Sequence, residues 1–253
     1  MASVLIYINS DDRTPESKST SDFMVSYGNN NKLSRVRNFF IKSISIPNVS
    51  YNVYLASPEY NVPEVNVFTY SSGSITVTPG FYNMTQLINA IVSDPLAIAD
   101  GMSITVNPIT GMLTFTTTSP VSYFNLDDGN SMARLLGIDI SSVAPGLSFT
   151  ANNLPDLSGI NNVFVSSNAL SGSATQMIQL KTNKPYVIDI PINEAAHGFY
   201  LNYETQHYEL DEIAASAYFN LNTVDIQLYG PYGRLIDLHG LPFNMTIRAF
   251  YDP

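Results

Sequence analysis

The sequence has no cysteine and no tryptophan, and only 13% of its 253 residues are charged. The absence of cysteine excludes disulfides, thiolate metal sites and cysteine nucleophiles, so stability must come from packing, with subunit contacts as a further source. The charged fraction is low, because the surface of a soluble monomer usually carries about 25–35% charged residues. With 45% apolar residues, 16 Tyr and 13 Phe, the composition favours either a β-rich core or a surface that meets other proteins.

Long apolar segments are also missing. No stretch approaches the roughly 18 apolar residues of a transmembrane helix, so we expect no membrane span. The apolar run from Val4 to Ile8 is too short for the core of a signal peptide, and no basic region precedes it. We therefore expect a protein without a signal peptide.

The net charge is −10, and it is unevenly distributed. Residues 1–42 hold six of the eleven basic groups and four acidic ones, so this segment is net +2 and the remainder is −12. An acidic body repels phosphate backbones, and we therefore expect no direct nucleic-acid binding. The basic segment either contacts an acidic neighbour or forms an ordinary solvated face.

Short runs of β-branched and aromatic residues alternate with Gly, Pro, Asn and Asp, which is typical of a β-sandwich or barrel. The predicted strands are 4–8, 23–27, 39–46, 65–70, 74–78, 103–107, 112–117, 162–166, 186–190, 198–203, 223–229 and 244–250. The pattern also predicts a helix that follows Pro79-Gly80, is capped by Asn83 or Thr85 and stops at Asp94-Pro95. A second, short helix is predicted over 130–136 and ended by Gly137. We expect a single domain over residues 1–253, with a possible inserted loop or hairpin region, and long loops over 47–63 and 141–160.

Candidate catalytic groups are few. The densest ionisable cluster comprises Glu204, His207, Glu209, Asp211 and Glu212. It could supply metal ligands or a pair of carboxylates for glycoside hydrolysis, but no ligand spacing is recognisable, so a solvated acidic loop is favoured. Asp127-Asp128-Gly129 is interpreted as a turn rather than a calcium loop, and His239 is also placed in a turn. We expect no catalytic residue, no metal and no cofactor, and so no enzyme.

Several segments resemble one family of viral proteins. The opening strand, the turn Asn9-Ser10-Asp11-Asp12-Arg13 and the Ser-rich lead to Phe23 resemble the start of small jelly-roll capsid proteins. Further similar segments, in the same order, are Ile44–Asn48 with Tyr51-Asn52, Pro79–Leu87, Thr110–Phe115, Leu135–Ile138, Leu157–Ser167 and Leu235–Thr246. The chain therefore resembles the single-jelly-roll penton and minor capsid proteins of the double-jelly-roll lineage of double-stranded DNA viruses, such as virophages, Polinton-like elements and nucleocytoplasmic large DNA viruses.

The resemblance implies an all-β fold: one eight-stranded jelly-roll sandwich with extra strands or insertion loops and one or two short helices. It also implies a structural protein of the virion, namely a penton that forms pentamers at icosahedral vertices and docks on the major capsid protein and other minor capsid proteins. One alternative is a minor capsid jelly roll at capsomer interfaces. Another is a carbohydrate- or receptor-binding module, for which a glycan or a host receptor would be the partner.

Seven residues are candidates for contacts between subunits. Arginine is the basic residue favoured at protein interfaces, and aromatic residues are enriched there, which favours the arginines of the opening segment and the loop tyrosines. The candidates are Asp12, Arg13, Arg35, Arg37, Tyr51, Tyr54 and Tyr60. For Asp12 and Arg13 the alternative is an internal pair that fixes the opening turn.

Overall fold

The computed structural model describes residues 2–55, 65–121, 132–138, 146–171, 178–179, 185–192, 195–204, 213–230 and 233–252. The chain forms two compact units. The first combines Met1–Ser50 with Ile160–Pro253, and the second, the inserted unit, is Tyr51–Gly159.

The described residues contain sixteen strands and four helices. The strands are β1 (Ala2–Asn9), β2 (Asp22–Ser26), β3 (Val36–Pro47), β4 (Val67–Tyr70), β5 (Gly73–Thr76), β6 (Ser103–Val106), β7 (Leu113–Val121), β8 (Gly146–Thr150), β9 (Asn162–Ser166), β10 (Ile178–Gln179), β11 (Pro185–Tyr186), β12 (Ile188–Pro191), β13 (Tyr200–Glu204), β14 (Ile213–Phe219), β15 (Thr223–Tyr229) and β16 (Asn244–Tyr251). The helices are α1 (Met84–Val92), α2 (Pro95–Ala99), α3 (Met132–Leu135) and α4 (Asn168–Ser171).

The first unit contains two antiparallel sheets whose strand order is that of a jelly roll. One sheet has the order β1-β16-β3-β13, with β14 also paired to β3, and the other has the order β12-β9-β15-β2. The short pair β10–β11 forms a separate two-stranded sheet. When β10, β11 and β14 are left out and the other eight strands are numbered along the chain, the first, eighth, third and sixth form one sheet, and the fifth, fourth, seventh and second form the other. This order confirms the predicted jelly-roll fold.

One hydrophobic core joins the two sheets. In the first sheet the period-two alternation of β1 and β16 directs Ile6, Ile8 and Ile247 inward. In the second sheet the same alternation directs Val224 and Ile226 into the same core. Because the inner face of each sheet is apolar, the charged residues of these strands lie on the outer faces of the sheets.

The inserted unit follows β3 in the chain and has a core of its own. It contains the hairpin β4–β5, the three-stranded sheet β6-β7-β8 and helices α1 to α3. The turn between β6 and β7 is closed by Asn107: its Oδ1 accepts hydrogen bonds from the backbone N–H groups of Ile109 (2.9 Å) and Thr110 (3.1 Å), and Gly111 has φ +73°. The predicted 141–160 loop is wrong at residues 146–150, which form β8, because Phe149 pairs with Phe115.

The first predicted helix is confirmed, with a different ending. The Asn83 side chain accepts from the N–H of Gln86 (2.9 Å), and the Gln86 side chain accepts from the N–H of Asn83 (3.0 Å), which forms a capping box. The helix ends at Val92, and Asp94-Pro95 begins α2 instead of only stopping α1. The Asp94 carboxylate caps the N–H of Leu96 (2.9 Å), and proline is favoured at the first helical position.

Two residues connect distant parts of the inserted unit. Asn52 is buried; its side chain donates to the carbonyls of Tyr82 (2.8 Å) and Leu157 (3.1 Å) and accepts from the N–H of Tyr82 (2.9 Å). Gly137 follows α3 with φ +74°, as predicted for a glycine after a helix. A Cβ at Gly137 would lie 2.3 Å from the carbonyl oxygen of Asn153, so only glycine fits there.

Candidate assembly interface

Asp12 and Arg13 lie at the end of β1, where the chain makes a 3₁₀ turn over Ser10–Asp12. The Asn9 side chain accepts from the N–H of Asp11 (2.8 Å), which caps this turn. The Arg13 guanidinium donates to the carbonyl of Ser10 (2.9 Å), so it closes the turn rather than pairing with Asp12. The side chains of Asp12 and Arg13, which are predicted to make subunit contacts, are both exposed.

Arg35 and Arg37 lie at the other end of the same sheet. Arg35 is exposed in a 3₁₀ turn, Leu33–Arg35, and Arg37 is the second residue of β3. The pairing of β1 with β16 runs from Ala2 opposite Tyr251 to Asn9 opposite Asn244, so the two predicted arginine sites are separated by about 25 Å. The structure therefore does not bring Asp12 and Arg13 together with Arg35 and Arg37.

Arg37 belongs to a polar cluster that sequence reasoning missed. Its Nε donates to Oδ2 of Asp252 (2.6 Å), and the Tyr218 hydroxyl donates to the same oxygen (2.8 Å). The Arg37 guanidinium also lies 5.4 Å from the centre of the Tyr218 ring. The Tyr218 hydrogen bond and the positive charge of Arg37 hold the pKa of Asp252 below its usual value. Tyr218 is half exposed, so this cluster remains available for contacts.

The three predicted tyrosines belong to the inserted unit. Tyr51 and Tyr54 are half-buried, and Tyr54 exchanges backbone hydrogen bonds with Val65 (2.7 and 3.3 Å). Tyr60 lies outside the residues that the structure describes. The four charged candidates belong to the first unit.

Exposed apolar side chains on the outer face of the first sheet were also missed. Leu5 and Tyr7 of β1 are 40% and 66% exposed, and Leu5 is paired with Arg248 of β16. The Arg248 guanidinium lies 5.9 Å from the centre of the Phe250 ring. The alternation in β1 and β16 could have identified this face, because the residues between the buried positions point outward. Tyrosine, arginine and leucine together give this face the composition of a protein interface.

The chain is similar to two solved structures over almost its whole length. The chain is similar to the mavirus penton protein, with a TM-score of 0.46, 8% identity and coverage of 100% of each chain. It is also similar to a chain in the cryo-EM structure of the Sputnik virophage, with a TM-score of 0.47, 11% identity and coverage of 98% of each chain. No protein-family model and no curated protein matches the sequence. At this level of similarity the fold assignment rests on the strand order described above.

The residues with possible catalytic or metal chemistry form no site in the described part of the chain. Glu204 is exposed at the end of β13, and the other members of its acidic cluster, His207 to Glu212, lie outside the described residues, as does Asp127-Asp128-Gly129. His239 lies in a turn with φ +52°, as predicted, and its N–H donates to the carboxylate of Asp237 (2.7 Å). Among the described residues, no three metal-ligating side chains converge and no helix is suited to cross a membrane.

Proposed function

We propose that this protein is a structural subunit of an icosahedral viral capsid, specifically the penton that forms homopentamers at the vertices and docks on the major capsid protein. As a capsid subunit, the protein would be located in the virion. The observation that carries the proposal is the jelly-roll strand order, together with a sequence that resembles penton and minor capsid proteins from its opening turn to its last strand.

The surface of the first unit supports an assembly role. Exposed Leu5, Tyr7 and Tyr218 lie on one outer face, together with Arg248. Arginine and aromatic side chains dominate the energetics of protein interfaces, whereas a solvated face would carry more charge. A ring of identical subunits forms when one surface of each copy meets a different surface of the next. Such an assembly needs no catalytic residue.

Light scattering of the purified protein over a range of concentrations tests the proposal. A penton should approach five times the chain mass of 27.8 kDa, and it should be recovered at the vertices of purified particles. A chain that stays monomeric at high concentration and is absent from particles would contradict a capsid role. A monomer that is present in particles away from the vertices would instead identify a minor capsid protein.

A further inference from the structure

The first sheet ends in two strands, β1 and β13, that have a neighbour on one side only within the described part of the chain. Ser10 continues the register of β1, and its N–H donates to the carbonyl of Phe243 (3.0 Å). Because bonding alternates along an antiparallel ladder, the even residues of β1 bond to β16. The N–H and C=O groups of Ser3, Leu5 and Tyr7 therefore point away from the sheet. We call this row the β1 edge.

The β1 edge is exposed and carries none of the usual protection. The side chains of Ser3, Leu5 and Tyr7 are all exposed. Among the described residues, Tyr27 alone bonds to the outward backbone groups, through its hydroxyl and the carbonyl of Tyr7 (2.6 Å). β1 contains no charge and no proline, and it pairs with β16 without a register shift. Soluble proteins normally protect such a long, flat edge with charges, proline or a bulge, because it can accept a further strand.

β13 has the same kind of edge on the opposite side of the sheet. The N–H of Asn48 donates to the carbonyl of Phe199 (2.9 Å), which extends the register of β13 with β3. By the same alternation, the N–H and C=O groups of Tyr200, Asn202 and Glu204 point away from β3. The side chains of these three residues are also exposed. We call this row the β13 edge.

The second sheet shows how the same chain protects an edge. A preceding segment covers β2: the N–H of Thr14 donates to the carbonyl of Met24 (2.8 Å), and the Ser17 hydroxyl accepts from the N–H of Met24 (2.9 Å). At the other edge, β12 has only four residues and ends in Pro191, which has no N–H to offer a further strand. The edges of the second sheet are covered or interrupted, whereas the described edges of the first sheet are neither.

We infer that the β1 edge of one copy pairs with the β13 edge of a second copy of this chain, so that the first sheets of neighbouring subunits become continuous. The inference rests on the proposed function, since it names the contact that joins subunits in the ring. β1 and β3 both run antiparallel to β16, and β13 runs antiparallel to β3, so β13 is antiparallel to β1. When two copies meet side by side, the two edges are therefore antiparallel, which is the more stable arrangement.

One register uses the whole of both edges. The opposite residues are then Ser3 and Glu204, Leu5 and Asn202, and Tyr7 and Tyr200. Residues opposite each other in a ladder point to the same face, so the exposed side chains of both copies stay on the outer face and the cores stay on the inner face. The two tyrosines add a cross-strand aromatic contact.

A contact between two β1 edges fits less well. Centred on Leu5, it would bring two Tyr7 carbonyls into the ladder that already accept from Tyr27, and it would leave both β13 edges open. The head-to-tail contact includes one such carbonyl. It also uses one edge of each kind per subunit, so a closed ring leaves neither edge unpaired.

Disulfide crosslinking of single-cysteine variants tests the pairing, because the chain has no cysteine of its own. Leu5→Cys co-expressed with Asn202→Cys should give mixed dimers on oxidation, since opposite residues of such a ladder have Cα atoms about 5.5 Å apart, within the range of a disulfide. Leu5→Cys with Ile109→Cys is the matched control, because Ile109 is 93% exposed but lies in the inserted unit. That control should give no mixed dimer. Efficient crosslinking of Leu5→Cys to itself would identify a contact between two β1 edges and overturn the inference.

Proline substitution measures what each edge contributes. Leu5→Pro and Asn202→Pro each remove an N–H that the sheet itself does not use, so the subunit should still fold. We expect each to raise the dissociation constant between copies at least about tenfold, because a backbone hydrogen bond is lost and the proline ring obstructs the neighbouring strand. Leu5→Thr and Asn202→Thr are the matched controls. They keep the N–H and should assemble nearly as well as the unaltered protein.

Sedimentation equilibrium gives the dissociation constants, and circular dichroism shows that each variant is folded. If a proline variant misfolds, the crosslinking result still decides. Assembly that is insensitive to both proline substitutions, or an assembled protein without the mixed crosslink, overturns the inference and leaves the penton proposal intact. An unaltered protein that stays monomeric at high concentration instead overturns the proposed pentamer together with this contact.

Discussion

The jelly-roll unit and the inserted unit are stabilised in different ways. In the first unit, β16 pairs along its whole length with β1 on one side and β3 on the other, and the core draws side chains from both sheets. In the inserted unit the strands are mostly shorter, and single residues such as Asn52 and Gly137 connect distant segments. In the jelly roll, the loss of one contact is therefore offset by many neighbouring contacts. In the inserted unit, stability depends more strongly on a few residues.

The change with the largest expected effect removes the inserted unit. Replacing residues 51–159 with a short Gly-Ser linker should leave a folded jelly roll, because every strand of its two four-stranded sheets lies in Met1–Ser50 or Ile160–Pro253. We expect a β-rich circular dichroism spectrum and one cooperative thermal transition. An unfolded product would contradict the prediction and would show that the insertion is needed to fold the sandwich.

The second test concerns Gly137. Gly137→Ala places a Cβ against the Asn153 carbonyl in a left-handed backbone conformation, so we expect a loss of about 4 kcal/mol in the free energy of unfolding. Gly159→Ala is the matched control, because its φ is +70° but nothing lies within 4 Å of the added carbon. That control should lose only about 1 kcal/mol. Equal losses in urea titrations of the two variants would refute the steric explanation.

How far the sequence predicts these units differs for a physical reason. The main jelly-roll strands alternate apolar and polar residues, and the prediction for β9 and β15 agrees with the structure at both ends. β14 was missed because its centre, Ala214-Ala215-Ser216-Ala217, consists of small residues with little preference for strands. In the insertion, α2 was missed because Pro95 was interpreted as a stop.

The candidate interface was predictable only in part. The turn at Asp12 and Arg13 and the exposure of Arg35 and Arg37 agree with the pattern of the sequence. The partner of Arg37 could not be predicted, because Asp252 is 215 residues away and only the pairing of β3 with β16 brings them together.

The third test compares two asparagines, one in each unit. Asn52→Ala in the insertion removes three hydrogen bonds and leaves buried backbone groups without partners, so we expect a loss of about 2 kcal/mol. Asn48→Ala in the jelly roll removes one side-chain hydrogen bond, to the carbonyl of Ala195 (2.6 Å), and should lose about 1 kcal/mol. Chemical denaturation measures both. A larger loss for Asn48→Ala would reverse the comparison.

The smallest expected effect is a pH dependence in the jelly roll. The Tyr27 hydroxyl donates to the carbonyl of Tyr7 (2.6 Å), and burial together with the Asp12 carboxylate raises the pKa of Tyr27 to about 12. Since this pKa exceeds the unfolded value of about 10, the contribution of Tyr27 to stability is complete below about pH 10 and is lost as the pH rises towards 12. Thermal unfolding from about pH 9 to about pH 12 should therefore show a decline in stability that is smaller in Tyr27→Phe. Because the Asp12 carboxylate raises only the folded pKa of Tyr27, Asp12→Asn should leave the onset of the decline at about pH 10 and make the total decline smaller. An unchanged total decline would exclude this coupling.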